Sequence, residues 1–97
     1  MAELLIPDAV AKDIKHLDKS VQRELRDTHF PRLKNDPRCG ELLRGALKGI
    51  WSYHFKYRST QYRIAYELTE KDTVILLIML GKRGDFYEAL LRRLGLW

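Results

Sequence analysis

Apolar and polar side chains alternate most clearly between Trp51 and Arg58. In this segment every odd-numbered residue is aromatic and every even-numbered residue is polar. Because successive side chains of a β-strand point to opposite faces, the pattern predicts a strand with one face on a core. Residues 62–68 have the opposite parity, with apolar side chains at the even positions. Together the two segments predict an antiparallel hairpin with one aromatic face and one polar face.

The expected register of this hairpin follows from matching apolar side chains across it. We place Tyr57 opposite Ile64 and Arg58 opposite Arg63, with an even-length turn around residues 60–61. Like charges placed directly opposite each other destabilise a hairpin by about a few tenths of a kcal/mol. This register therefore suggests that function, and not stability, accounts for the two arginines.

The N-terminal third of the chain has a helical period. Apolar side chains in residues 7–17 are spaced four and three apart, which predicts an amphipathic helix. Ser20 resembles the N-cap of a second helix that runs towards Leu33. Pro31 lacks a backbone donor, so we expect a kink or an early stop near His29 before the helix resumes.

The remaining elements complete a single domain over residues 1–97. Residues 3–6 predict a short first strand, and the almost unbroken apolar run 73–80 predicts a central strand buried on both faces. Asp85 precedes a short final helix. The expected fold is α+β with the order β-α-α-β-β-β-α. Its antiparallel-rich, four-stranded sheet carries two N-terminal helices on one face and a short C-terminal helix on the other.

Composition narrows the class of protein. The chain has 97 residues and a net charge of +5, and residues 51–63 contain basic side chains but no acid, so a polyanion is the expected partner. Cys39 is the single cysteine, which excludes an internal disulfide and a cysteine-based zinc site. No apolar run approaches the length of a membrane span or a signal peptide, so we expect a cytoplasmic protein without a membrane partner.

Common catalytic motifs are missing from the sequence. His16, His29 and His54 lie on three different predicted elements with no carboxylate cluster beside them, so no metal site is expected. Residues 81–84 lack the first glycine and the Ser or Thr of a phosphate-binding loop. We therefore expect no cofactor.

What remains is a set of basic and phenolic side chains. RNA is cleaved without a metal when its 2′-hydroxyl attacks the neighbouring phosphate, which requires a base, positive charge for the phosphorane and help for the leaving oxygen. The side chains of suitable type are His54, Lys56, Arg58, Arg63, Arg83 and Tyr87. The pattern alone leaves open a solvated basic face, passive nucleic-acid binding, or catalysis.

Several short motifs, in order and at similar spacing, resemble the RelE branch of the RelE/ParE toxin superfamily. They are Leu43-Arg44-Gly45, Trp51 to Arg58, Tyr62 to Tyr66, Gly81-Lys82-Arg83 and Phe86-Tyr87. The resemblance covers essentially the whole chain and implies the fold expected above. It also implies a type II toxin, a metal-independent endoribonuclease that cuts mRNA in the ribosomal A site and is neutralised by a cognate antitoxin. Operator DNA would then be bound only through the antitoxin complex.

The resemblance also implies roles for individual residues. Lys56 would help to bind or activate the 2′-hydroxyl, and Arg63 would stabilise the phosphorane. Arg83 would act at the leaving oxygen, and Tyr87 would stack on or orient a nucleotide. The basic residues expected to contact RNA without taking part in the chemistry are Arg44, Arg58 and Lys82.

His54 stands where the best-known member of the family has a second lysine. Because the ordinary pKa of histidine is about 6.5, an imidazole is a better base at neutral pH than an ordinary lysine amine. We therefore favour His54 over Lys56 as the general base, and we expect Lys56 and Arg58 to lower its pKa.

Two other functions remain open at this point. One is a ParE-like poison of DNA gyrase that has the same fold and no nuclease activity. The other is a non-catalytic protein that binds an antitoxin and tunes repression of their shared operon. The gyrase poison does not require the Lys, Arg, Arg and Tyr set that this chain carries, and the antitoxin-binding protein leaves the opposed Arg58 and Arg63 unexplained.

Overall fold

The computed structural model describes residues 1–69 and 71–97. Its strands are β1 (Glu3–Leu5), β2 (Glu41–Leu42), β3 (Trp51–Tyr57), β4 (Thr60–Thr69) and β5 (Val74–Lys82). Its helices are α1 (Asp8–Lys15), α2 (Lys19–Glu24), α3 (Phe30–Asn35) and α4 (Phe86–Arg93). A π-helical turn, Leu25–His29, joins α2 to α3, and a 3-10 turn, Gly45–Leu47, precedes β3.

The strands form one mixed sheet in the order β1-β5-β4-β3-β2. β1 pairs with β5 in parallel, and the other neighbours are antiparallel. The expected α+β class and element order are confirmed. Within the described residues, however, the sheet has five strands instead of four. The additional strand, β2, is two residues long, which is too short to show an alternating pattern.

The N-terminal helices pack on the aromatic face of the sheet. A four-residue spacing of buried side chains runs along α2, the π turn and α3, at Val21, Leu25, His29 and Leu33. The second helix begins at Lys19, one residue before the predicted cap, and Asp18 precedes it. The π turn directly precedes the turn that contains the proline, so the predicted interruption near His29 is present as a widened turn.

Helix α4 lies on the opposite face, as predicted. Phe86 and Leu90 are buried there with Ile50, Ala65 and Met79. This second cluster places α4 over the polar face of the β3-β4 hairpin.

The hairpin register differs from the expected one by four residues. Tyr57 lies opposite Thr60, so the turn consists of residues 58–59, and Arg58 has a positive φ of 56°. Arg63 lies opposite His54 and not opposite Arg58, so the predicted pairing of two arginines was wrong. An even shift preserves which side chains face the core, so the apolar pattern could not distinguish the two registers.

An ion pair ties α1 to α4 across the edge of β5. Arg93 donates to both carboxylate oxygens of Asp13, at 2.6 Å and 2.9 Å, and also to the carbonyl oxygen of Ile78 at 3.0 Å. Asp13 accepts a further hydrogen bond from the backbone N–H of Leu80 at 3.1 Å. Since β1 pairs only with Val74–Leu76, these two side chains bind backbone groups of β5 that lie beyond the end of β1.

Candidate functional site

The hairpin register brings His54 and Arg63 together on the polar face of the sheet. Arg63 Nη1 lies 3.0 Å from His54 Nε2. A guanidinium can only donate hydrogen bonds, so Nε2 is the acceptor and the ring proton is assigned to Nδ1. The imidazole is therefore neutral, with its basic nitrogen directed at a fixed cation.

Tyr87 reaches this pair from α4. Arg63 Nη1 donates to the Tyr87 hydroxyl at 2.6 Å, and the centre of the guanidinium lies 4.9 Å from the centroid of the phenol ring. The ring and its hydroxyl thus hold Arg63 by a cation-π contact and a hydrogen bond. The position of α4 on the sheet consequently determines the position of Arg63.

Ser52 completes the network and was not among the predicted site residues. Its side chain is buried, its Oγ lies 3.0 Å from His54 Nε2, and the Tyr87 hydroxyl donates to it at 3.5 Å. In the sequence, Ser52 is one of several polar residues on a strand face that was expected to be exposed. Only the placement of α4 over that face shows it to be buried.

The pKa of His54 is lowered from its ordinary value. Partial burial is the largest cause, the positive charge of Arg63 adds to it, and the carboxylate of Glu41 opposes both. The predicted direction of this pKa shift is therefore correct, but its sources are burial and Arg63 and not Lys56 or Arg58. A neutral imidazole at physiological pH is the form that accepts a proton.

Two further predicted residues lie at the rim of this network. Lys56 is exposed on the same face, two residues beyond His54, and pairs across the hairpin with Gln61. Arg83 is exposed, donates from its backbone N–H to the carbonyl oxygen of Gln61 at 2.9 Å, and donates from Nη1 to Oε1 of the same residue at 3.3 Å. Gln61 therefore holds Arg83 beside Lys56 at the rim of the network.

The predicted RNA-binding residues lie apart from the network. Arg58 is in the hairpin turn, with its guanidinium 5.5 Å from the ring centroid of Tyr57. Lys82 pairs with Tyr62, whose side chain belongs to the aromatic face, so the register places it on the side away from His54. Arg44 is exposed just before the 3-10 turn.

A cavity of about 680 Å³ adjoins the network at the β2 edge of the sheet. Its lining includes Ser52 and His54 of the network, Glu41 of β2, and Arg32 of α3. The cavity therefore extends from the His54 imidazole towards the end of α3.

The described residues, 1–69 and 71–97, contain no group of three or more His, Cys, Asp or Glu side chains placed to hold a metal ion. Nor do they contain a helix long and apolar enough to cross a membrane.

Comparison with solved structures shows what class of fold this is. The chain is similar to the RelBE2 toxin-antitoxin complex from Mycobacterium tuberculosis, with a TM-score of 0.70, 23% identity, and coverage of 84% of this chain and 98% of the other. It is also similar to the isolated RelE toxin from E. coli, with a TM-score of 0.67, 23% identity, and coverage of 97% and 99%. For the intact E. coli RelBE complex the TM-score is 0.68 at 20% identity, with coverage of 87% and 99%. The chain has the RelE fold.

Comparison with family models gives the family itself. Residues 4–91 match the model described as the ParE-like toxin of type II bacterial toxin-antitoxin systems. Because this match spans most of the chain, the protein belongs to the RelE/ParE superfamily of type II toxins. A comparison with curated protein sequences found no match.

Proposed function

We propose that this toxin is an endoribonuclease and that His54, Arg63 and Tyr87 form the centre of its active site. The observation that supports the proposal best is the 3.0 Å contact between the basic nitrogen of His54 and the Arg63 guanidinium. A neutral base and a fixed cation side by side are what attack of a 2′-hydroxyl on a phosphate requires.

In the proposed reaction the scissile phosphate binds to Arg63 and replaces the imidazole as its hydrogen-bond acceptor. This frees Nε2 of His54 to accept the proton of the attacking 2′-hydroxyl. The 2′-oxygen bonds to phosphorus while the bond from phosphorus to the 5′-oxygen breaks, which leaves a 2′,3′-cyclic phosphate and a 5′-hydroxyl end. The departing oxygen takes its proton from a water molecule, and the hydroxide that remains accepts the proton that His54 gained. The charges of Arg83 and Lys56 stabilise the departing oxygen from the rim.

Tyr87 acts chiefly through Arg63 in this proposal. Its hydroxyl accepts from Nη1 at 2.6 Å, and its ring covers the guanidinium, so the cation is oriented before the substrate arrives. A preorganised charge stabilises a transition state without the cost of reorienting it during the reaction. The resemblance to RelE suggests nucleotide stacking as a further role of this ring.

Messenger RNA on the ribosome is the proposed substrate, and a cognate antitoxin is the proposed partner. Two of the similar structures are toxin-antitoxin complexes, which supports the second part. Operator DNA would be bound through that complex only, and the site of action would be the cytoplasm. We expect the antitoxin to protect α4 or the basic sheet face from hydrogen exchange. Protection confined to α1 and α2 would contradict this placement.

The family description favours one alternative, a ParE-like gyrase poison with no nuclease activity. To separate the two, the chain is induced in cells and RNA 5′ ends are mapped on translated and untranslated transcripts. Cuts that follow the reading frame support the nuclease, and frame-independent cuts would remove the ribosome from the proposal. A DNA damage response without RNA cleavage would establish the alternative.

Arg63→Ala tests the active site directly. We expect cleavage to fall by about 10² or more, because a cation at the phosphorane is lost. Arg26→Ala is the matched control, since it removes the same charge from a side chain that is 70% exposed in the π turn, on the opposite face of the sheet. Thermal unfolding should show that both variants fold. An Arg63→Ala protein that folds and cleaves like the control would remove Arg63 from the site.

A further inference from the structure

The cavity beside His54 has the size and polarity of a ligand site. Its volume of about 680 Å³ lies within the range of roughly 300–1,000 Å³ usual for small-molecule sites. Its lining carries both signs of charge, with the Arg32 guanidinium opposed by the carboxylates of Asp36 and Glu41. Since His54 also lines it, a ligand held here lies next to the proposed reaction centre.

Glu41 is the carboxylate best placed to face such a ligand. It pairs across the sheet with Ser52, and residues paired in this way share a face, so it lies on the same face as His54. Its negative charge raises the pKa of the His54 imidazole, which places the two side chains within electrostatic range of each other. Glu41 is itself exposed and so is accessible from the cavity.

The charges of the cavity lining argue against a phosphate group as the ligand of this cavity, in addition to the scissile phosphate at Arg63. Two carboxylates would repel a phosphate group, and one guanidinium does not outweigh them. A nucleobase suits the lining better, because its edge carries both donors and acceptors. Carboxylates accept hydrogen bonds from exocyclic amino groups, such as N4 of cytosine, and have no favourable contact with O4 of uracil.

We propose that this cavity binds the base of the nucleotide whose 3′-phosphate contacts Arg63 and His54, and that Glu41 selects bases carrying an exocyclic amino group. The proposal rests on the proposed function for the placement of the phosphate. Proteins read single-stranded RNA by splaying a base out of its stack and bonding its edge, and a cavity one nucleotide from the reaction centre serves that purpose. Arg32, at the other end of the charged lining, supplies donors to the carbonyl group of the same base.

Cytidine 3′-monophosphate and uridine 3′-monophosphate form a matched pair of probes, because their bases differ at position 4 and in the protonation of N3. Each is titrated into the isotopically labelled full chain while the backbone amides of Gly40 and Glu41 are followed by NMR. We expect the cytidine compound to bind about tenfold more tightly and to shift both amides. Equal affinities would overturn the proposal. So would shifts confined to His54 and Arg63, which would indicate binding of the phosphate alone.

Glu41→Gln should reduce the preference for cytidine to under about threefold, because the amide offers uracil a donor that the carboxylate lacks. Glu3→Gln is the control, since Glu3 is exposed on β1 at the opposite edge of the sheet, and it should keep the preference of the native chain. An unchanged preference in Glu41→Gln would remove this residue from base selection. Because binding is measured without turnover, a chain that selects cytidine but cuts no RNA would overturn the proposed function and leave the subsite standing.

Discussion

The ion pair between Asp13 and Arg93 is expected to make a large contribution to the free energy of unfolding. Asp13→Ala removes three hydrogen bonds at once: two from Arg93, at 2.6 Å and 2.9 Å, and one from the backbone N–H of Leu80 at 3.1 Å. Leu80 is buried, so its N–H loses an acceptor where few replacements exist. The substitution also removes the link between α1 and α4.

The size of the expected loss in the free energy of unfolding follows from these contacts. A hydrogen bond to a charged group contributes about 1.5–3 kcal/mol when it is well buried, and an unsatisfied buried donor costs about 1–3 kcal/mol. The side chains of Asp13 and Arg93 are 16% and 32% exposed, so the lower part of each range applies. We therefore expect a loss of about 3 kcal/mol, which corresponds to a fall in Tm of roughly 12–24 °C for a domain of this size.

Urea and thermal unfolding measure this loss. Asp27→Ala is the matched control, because its pair with Arg26 at 3.6 Å joins side chains that are 61% and 70% exposed. Such a surface pair contributes at most about 1 kcal/mol. Double-mutant analysis of Asp13→Ala with Arg93→Ala should give a coupling energy above about 1 kcal/mol. If the free energy of unfolding of Asp13→Ala lies within about 1 kcal/mol of the control, or if the two effects simply add, the ion pair does not make the expected contribution.

Two further predictions concern the proposed active site. Single-turnover cleavage should rise with pH to a plateau, with a midpoint below about 6.5, because burial and Arg63 lower the pKa of His54 and the base is active when unprotonated. His54→Ala should reduce the rate about 10²- to 10⁴-fold, and His54→Lys should move the profile to higher pH; a loss below about threefold with an unchanged profile would make Lys56 the base. Tyr87→Phe removes the hydroxyl that holds Arg63 and should lower kcat about tenfold with little effect on KM or Tm. An unchanged kcat would show that the ring contact alone positions the guanidinium.

The two faces of the hairpin could be predicted from the sequence, but its register could not. Alternation assigned the aromatic residues of β3 to the core, and the structure confirms this for Tyr53 and Phe55. A shift of four residues leaves every side chain on the same face of the sheet. The apolar pattern shows which face a side chain lies on, but it does not show which residue lies opposite it. The turn itself gave no signal, because Arg58 occupies a conformation with φ of 56° that usually favours glycine or asparagine.

The chemistry of the site was predictable by residue type, whereas its assembly depends on long-range packing. His54, Arg63 and Tyr87 were all candidates, yet their contacts require the hairpin register and the docking of α4. Ser52 has no distinguishing sequence signal, because its burial comes from elements distant in the chain. Lys82 was grouped with the site by proximity in sequence, and strand pairing places it on the other face.

The π-helical turn keeps the buried side chains of α2 and α3 on the same side of the long helical segment. Each residue of an α-helix turns about 100°, so a step of four overshoots a full turn by about 40°, and three such steps from Val21 to Leu33 accumulate about 120°. A regular helix would point Leu33 away from the sheet that Val21 faces, yet both are buried. The wider turn winds less per residue and cancels this drift. Deleting one residue there would leave eleven α-helical steps between Val21 and Leu33, which end about 20° past three full turns. We therefore expect the π turn to close into a regular α-helical turn that keeps Leu33 facing the sheet, whereas the same deletion within α3 itself would turn the residues after it by about 100°.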